Sequence, residues 1–243
     1  EAERSVREAL EKERELHSLK SRFVAMASHE FRTPLSSIMS SVDLIARYSD
    51  AAQDERVEKH VMRIRGKVRE MTAMLNEFLS LERIEQGLVV CQPVEIDVVH
   101  LCIELIEELR ALTKSGQTIN YDHLGEERAV TLDRQMLSNV VTNLVTNAVK
   151  YSPEGKRIAL HTTITDGRLH ITTADEGIGI PAEDQTHLFD LFFRGSNATT
   201  IQGTGLGLNL VKRYLDIMQG SVTFTSKPGA TVFNVKLPQH LST

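Results

Sequence analysis

Two asparagines and a lysine, one helical turn apart, are the clearest chemical signal in this 243-residue chain. Asn143, Asn147 and Lys150 are separated by four and three residues, and the apolar Leu144, Val145 and Ala148 fall between them. On a helix this spacing gathers both amides and the ammonium on one face and turns the apolar residues elsewhere. An amide oxygen is a hard ligand suited to Mg2+, which usually shares its shell with phosphate oxygens and water. Lysine adds a compact positive charge for the same phosphates. Two glycine-rich stretches carry related chemistry. Asp175-Glu176-Gly177-Ile178-Gly179-Ile180 follows a predicted strand. Its glycines let backbone approach a planar ring closely, and an ionised Asp175 can accept a hydrogen bond from an exocyclic amine. Gly203-Thr204-Gly205-Leu206-Gly207-Leu208 opens a predicted helix and offers backbone N–H groups to an anion. The loop is not a dinucleotide fingerprint, because no strand immediately precedes it and the spacing differs.

A second reactive group lies far upstream. His29 sits in Ser28-His29-Glu30-Phe31-Arg32-Thr33-Pro34-Leu35, inside a pattern where Phe23, Met26, Phe31, Leu35, Ile38, Val42 and Ile45 step in threes and fours. That stripe leaves His29 on the wet side of a helix. An imidazole with its ordinary pKa of about 6.5 is largely neutral and nucleophilic there. Glu30 is placed to hold one ring N–H. Thr33 lies close to one turn further on, near the imidazole. By itself the octapeptide reads equally well as a solvated histidine beside an ordinary glutamate.

Rigid elements must carry these groups. Residues 1–20 are dense in charge around Val6, Ala9, Leu10, Leu16 and Leu19 and run unbroken into the His29 segment, which predicts one helix. The stripe lapses between Arg47 and Asp54. Val57, Val61, Ile64, Val68, Met71, Leu75 and Phe78 then form an a/d heptad seam. Residues 1–85 therefore read as a helical hairpin with too little core of its own, and a symmetric dimer forming a four-helix bundle is the simplest remedy. Gly87 and Pro93 end the pattern. Short strands and helices follow, with Asp133 as candidate N-cap of a helix to Lys150 and turns at Asp166-Gly167 and Pro228-Gly229. Their mixture predicts an α+β sandwich, a mixed sheet with helices on one face.

Composition narrows the function classes. With 41% hydrophobic and 25% charged residues the chain is an ordinary globular protein, and a net charge of −5 argues against a nucleic-acid partner held by bulk electrostatics. Cys91 and Cys102 form neither a disulfide framework nor zinc knuckles, which suits a cytoplasmic compartment. No apolar run is long enough to span a membrane. The start at Glu1 leads us to expect a piece of a longer protein, with any membrane anchor lying upstream.

Taken in order, these stretches resemble the transmitter core of two-component sensor histidine kinases. Ser28–Leu35 resembles the family's histidine box, Asn143–Ser152 its asparagine box, Asp175–Ile180 and Gly203–Leu208 its two glycine boxes, and Phe189-Asp190-Leu191-Phe192-Phe193-Arg194 its phenylalanine box. The resemblance implies an N-terminal signalling helix (1–20), a dimerisation and histidine-phosphotransfer domain (21–87), a linker (88–92) and a Bergerat-type ATP-binding domain (93–240) with a lid at about Arg194–Thr204. It implies His29 as phospho-acceptor with Glu30 and Thr33 as catalytic partners, Asn147 as Mg2+ ligand and Asp175 as adenine reader. Asn143, Lys150, Tyr151, Gly177, Gly179, Arg194, Gly203, Thr204, Gly205, Leu206 and Gly207 would complete the ATP site. Phe189, Phe192 and Phe193 are either core or a docking surface. The implied partners are a second copy of the chain and the receiver domain of a response regulator, which Thr33 would help dephosphorylate. ATPases sharing the nucleotide fold tend to keep a glutamate one turn before the Mg2+ asparagine, where this chain has Asn143; an amide is no general base. An ATPase, or an ATP-binding dimeric scaffold without phosphotransfer, is the alternative.

Overall fold

The computed structural model describes residues 34–45, 55–201 and 203–241. The helix expected over 1–20, the reactive octapeptide up to Thr33 and the turn near residues 48–54 lie outside them. The chain divides into two compact units, Glu1–Phe78 and Leu79–Thr243.

The first unit is helical. Residues 34–45 form α1, and α2 spans Glu55–Glu85, running past the unit's end. Most of the heptad seam is half-buried, whereas Val68 and Leu75 remain 50% and 47% exposed. Leu35, Met39 and Val42 of α1 are exposed as well. Helix α2 ends where Gly87 turns left-handed at φ 67°, with the Leu88 N–H reaching back to the Arg83 carbonyl (2.9 Å). A residue with a Cβ is disfavoured in that conformation, which is why a glycine ends the helix.

The second unit pairs two sheets with three helices. Strands β1 (Pro93–Asp97) and β3 (Ala129–Asp133) make an antiparallel pair, flanking α3 (Val98–Arg110) and β2 (Thr118–Leu124) in sequence. The main sheet has the order β2-β4-β5-β7-β6, with β4 Arg157–Thr165, β5 Arg168–Asp175, β6 Ser221–Lys227 and β7 Ala230–Pro238. Only β2–β4 is parallel. Alternate residues Ile158, Leu160, Leu169, Ile171, Val235 and Leu237 are buried, and α3, α4 (Arg134–Tyr151) and α5 (Gly207–Ile217) cover that face. Asp166 and Gly167, at φ 52° and 68°, make the tight turn between β4 and β5. Strand β2 continues past Tyr121 to Leu124. Its polar end shows no hydrophobic alternation, and it is held instead by the ladder to β4 and by Tyr121 and His123, both bonded to the Thr162 hydroxyl (2.7 and 2.8 Å). No helix among the described residues is long and apolar enough to cross a membrane.

Asp133 ties two parts of this unit together. One carboxylate oxygen accepts from the Met136 N–H (2.9 Å), capping α4, and the other from the Gln92 N–H (2.9 Å), anchoring the segment that leads into β1. Asp133→Ala removes both acceptors, and urea denaturation should show a loss of about 1–2 kcal/mol, with Asp133→Asn losing less.

Candidate functional site

Helix α4 supplies the first wall. Its buried side consists of Met136, Leu137, Val140, Val141, Leu144, Val145, Ala148 and Val149, so Asn143, Asn147 and Lys150 are left on the half-exposed side. Asn143 donates to the Asn139 carbonyl (2.9 Å). Its Oδ1 abuts the start of α5, since a methyl group placed on Gly207 would come within 2.6 Å of it. The Lys150 ammonium lies over the Tyr151 ring, 5.2 Å from its centroid, and fills the space a side chain at Gly203 would need. The polar face of α4 thus meets the glycine loop from end to end.

The end of β5 supplies the second wall. The Gly177 N–H donates to the Asp175 carboxylate (2.8 Å), and a Cβ at Gly177 would strike that carboxylate and the Tyr151 carbonyl. The Ile178 N–H donates to the same Tyr151 carbonyl (3.2 Å), which fastens this turn to the last turn of α4. Gly179, at φ 73°, passes against the backbone of Lys227 and Pro228. Burial raises the Asp175 carboxyl to a pKa of about 6, partly offset by the Gly177 N–H. Burial also raises the Tyr151 phenol, against the opposing charge of Arg194.

Between these walls lies a cleft of about 430 Å³ lined by Lys114, Lys150, Tyr151, Ser152, Pro153, Ile178 and Ile201. Its third side is the segment from Arg194 onward. The Arg194 guanidinium donates to the carbonyls of Ala198 (3.3 Å), Thr199 (3.4 Å) and Ile201 (2.7 Å), folding that segment on itself. The Thr204 hydroxyl accepts from the Leu206 N–H (3.2 Å), and the Leu206 side chain is buried in the core. Gly205, at φ 71°, leaves no room for a side chain against Phe192 and Phe193.

The structure places Lys150 and Tyr151 on the cleft, the Asp175–Gly177 turn against the Tyr151 carbonyl, Gly203 against Lys150 and Gly207 against Asn143, with Asn147 on the half-exposed side of α4, while His29, Glu30 and Thr33 lie outside the described residues. Sequence patterns did not point to Lys114, Pro153 or Ile201 as lining groups. Lys114 is 36 residues from Lys150 and belongs to no periodic run, so no local signal marks it.

The residues suit a phosphate-bearing planar ligand. Asp175 offers an acceptor and Lys150 a cation, and the glycines let the surrounding segments pack closely on one another. Among the described residues no cluster of three or more His, Cys, Asp or Glu could hold a metal alone. A cation here would have to take oxygens from the ligand and from an amide. Asn147 fits that demand, since its side-chain amide makes no hydrogen bond among the described residues.

Because Asp175 holds its proton up to about pH 6 in the folded chain, against an ordinary value of 3.8, its neutral form stabilises the fold at low pH and that contribution is lost as pH rises through about 6. Asp175→Asn should accordingly melt higher than the parent at pH 8. The gap should close toward pH 4, and a gap that does not vary with pH would contradict the shift.

Comparison with known proteins agrees with this geometry. Residues 132–241 match the family model described as histidine kinase-, DNA gyrase B-, and HSP90-like ATPase, and residues 19–87 match the His Kinase A (phospho-acceptor) domain. Sensor histidine kinase YkoH of Bacillus subtilis (strain 168) is 33% identical over 223 residues, covering 89% of this chain and 47% of YkoH. Sensor protein CiaH of Streptococcus pneumoniae serotype 4 is 32% identical over 230 residues, covering 88% of this chain and 48% of CiaH. The chain thus spans about half the length of these relatives. In fold it resembles histidine kinase ThkA, solved in complex with response regulator protein TrrA, with a TM-score of 0.68 at 21% identity over 96% of this chain and 65% of that one. Matched in both segments and in this order, the chain belongs to the sensor histidine kinase family.

Proposed function

We propose that this chain is an ATP-dependent protein-histidine kinase core, in which His29 takes the γ-phosphoryl group of ATP and passes it to an aspartate of a response-regulator receiver domain. The observation that carries the reading is the cleft lined by Lys150 and Tyr151, with the Asp175–Gly177 turn packed on the Tyr151 carbonyl and Gly203 packed on Lys150. His29 lies within the segment that matches a phospho-acceptor domain.

In this reading Asp175 accepts the adenine amine, and Gly177 and Gly179 allow backbone to lie along the ring. Lys150 and the N–H groups of Gly203–Gly207 face the phosphates, with Asn143, Tyr151, Arg194, Thr204 and Leu206 around them. Asn147 would hold Mg2+ through its amide oxygen, and the ion there supplies charge neutralisation at the phosphates. The neutral imidazole of His29 attacks the γ-phosphorus in line. The N–P bond forms as the bond from the γ-phosphorus to the bridging oxygen breaks, and ADP leaves. Glu30 accepts the other ring N–H and offsets the positive charge that develops on the ring. The phosphoryl group then moves to the receiver carboxylate.

The remaining assignments follow the same division of labour: a signalling helix over 1–20, a dimerisation and phosphotransfer domain over 21–87, a linker over 88–92 and the ATP-binding domain over 93–240. The exposed Leu35, Met39, Val42, Val68 and Leu75 are the kind of surface a second copy would cover. The free cysteines and the use of ATP favour the cytoplasm. Asn143 offers no base for water, so hydrolysis without phosphotransfer should be slow.

His29→Gln should abolish label incorporation from [γ-32P]ATP while nucleotide binding persists; undiminished labelling would remove His29 as acceptor. Thr33 is proposed to orient water against the phosphorylated receiver. Thr33→Ala should slow dephosphorylation of that receiver by roughly tenfold or more and leave autophosphorylation nearly unchanged; an unchanged dephosphorylation rate would remove this role.

A further inference from the structure

One buried polar side chain beside the cleft has no part in the roles above. Gln117, only 7% exposed, directs its amide nitrogen at three carbonyls, those of Val149 (3.1 Å), Ser152 (3.0 Å) and Pro153 (3.0 Å). Its oxygen accepts from the Lys114 N–H (2.8 Å). The Lys114 ammonium in turn donates to the carbonyls of Lys150 (2.7 Å) and Ser152 (2.6 Å). Two side chains from the loop between α3 and β2 therefore satisfy the carbonyls that the end of α4 leaves unpaired. The lysine also sets a positive charge at the negative end of that helix. Backbone reinforces the clasp: the Gly155 N–H donates to the Ser115 carbonyl (2.9 Å), and Gly116 and Gly155 pass so closely that a Cβ on Gly116 would lie 3.3 Å from the Gly155 Cα.

The clasped turn is the one that presents Lys150, Tyr151 and Ser152 to the cleft, and its Tyr151 carbonyl holds the Ile178 N–H of the opposite wall. We propose that Gln117, assisted by Lys114, is a positioning residue for nucleotide binding, fixing the last turn of α4 so that its cleft-lining side chains meet the ligand in register. The proposal rests on the nucleotide-binding reading above. Gln117 does not line the cleft, so its influence runs through the backbone it holds. A shift of the order of an ångström in groups that position a substrate can cost up to about a hundredfold, and the clasp governs only part of the site.

The test measures AMPPNP binding by calorimetry, and KM and kcat for autophosphorylation, on folded samples of the parent, Gln117→Leu, Gln117→Asn, Lys114→Met and Lys114→Arg. A positioning role predicts that Gln117→Leu raises the AMPPNP Kd and the KM for ATP about tenfold, with kcat at saturating ATP within about twofold of the parent. Gln117→Asn, which stays polar but is one methylene too short, should show a smaller rise and serves if the leucine variant does not fold. Lys114→Arg, which keeps donors for the carbonyls, should bind more like the parent than Lys114→Met does. A purely structural role would lower the melting temperature and the active fraction, hence kcat, and leave Kd and KM unchanged; that result overturns the proposal. Failure of the parent to bind AMPPNP would instead overturn the nucleotide-binding reading itself, and this inference with it.

Discussion

Helix α4 has to be apolar on one side and polar on the other, and most of the second unit follows from that constraint. Val140, Val141, Leu144, Val145 and Ala148 are essentially removed from water against the sheet, which contributes strongly to folding and fixes the rotation of the helix about its axis. Once that rotation is fixed, Asn143, Asn147 and Lys150 have one direction left to face. The cost falls at the C-terminal end, where unpaired carbonyls would be buried. Gln117 and Lys114 meet that demand from a loop more than thirty residues away in sequence.

The segment from Arg194 to Thr204 is held at its ends. The Phe192 N–H donates to the Gly205 carbonyl (3.1 Å), and the Asn209 amide donates to the Phe189 carbonyl (2.8 Å), so the residues on either side of that segment are fastened to each other and to α5. Phe192 adopts φ 64° to make this junction, a conformation that costs a non-glycine residue energy and persists only where its surroundings enforce it. Of the three aromatics here, Phe189 packs edge-on to Phe224, with centroids 5.9 Å apart, and Phe192 joins it against the core. Phe193 lies instead beside the His187 ring, 5.8 Å away.

Legibility in the sequence tracked the range of the interactions. Asp133 was readable as a cap because an N-cap acts on N–H groups two or three residues away, and Asp166-Gly167 as a turn because its two residues alone adopt positive φ. The spacing of Asn143, Asn147 and Lys150 announced a shared face for the same reason. The parallel pairing of β2 with β4 left no such mark, since the two strands are separated by β3 and α4 and the end of β2 is polar. Nor did the splitting of β1 and β3 into a sheet of their own.

What the sequence determined by itself is therefore a set of local decisions: where caps and tight turns fall, which residues share a face, and which glycines make room. These depend on propensity, periodicity and backbone freedom over a few residues. Only the tertiary structure decided that the carbonyls ending α4 would be paired by Gln117 and Lys114, that the Asp175 turn would fasten to Tyr151, and that burial would lift the Asp175 carboxyl to about 6. Each of those depends on which distant groups come to surround a site, and desolvation and long-range pairing exist only once the chain has closed on itself.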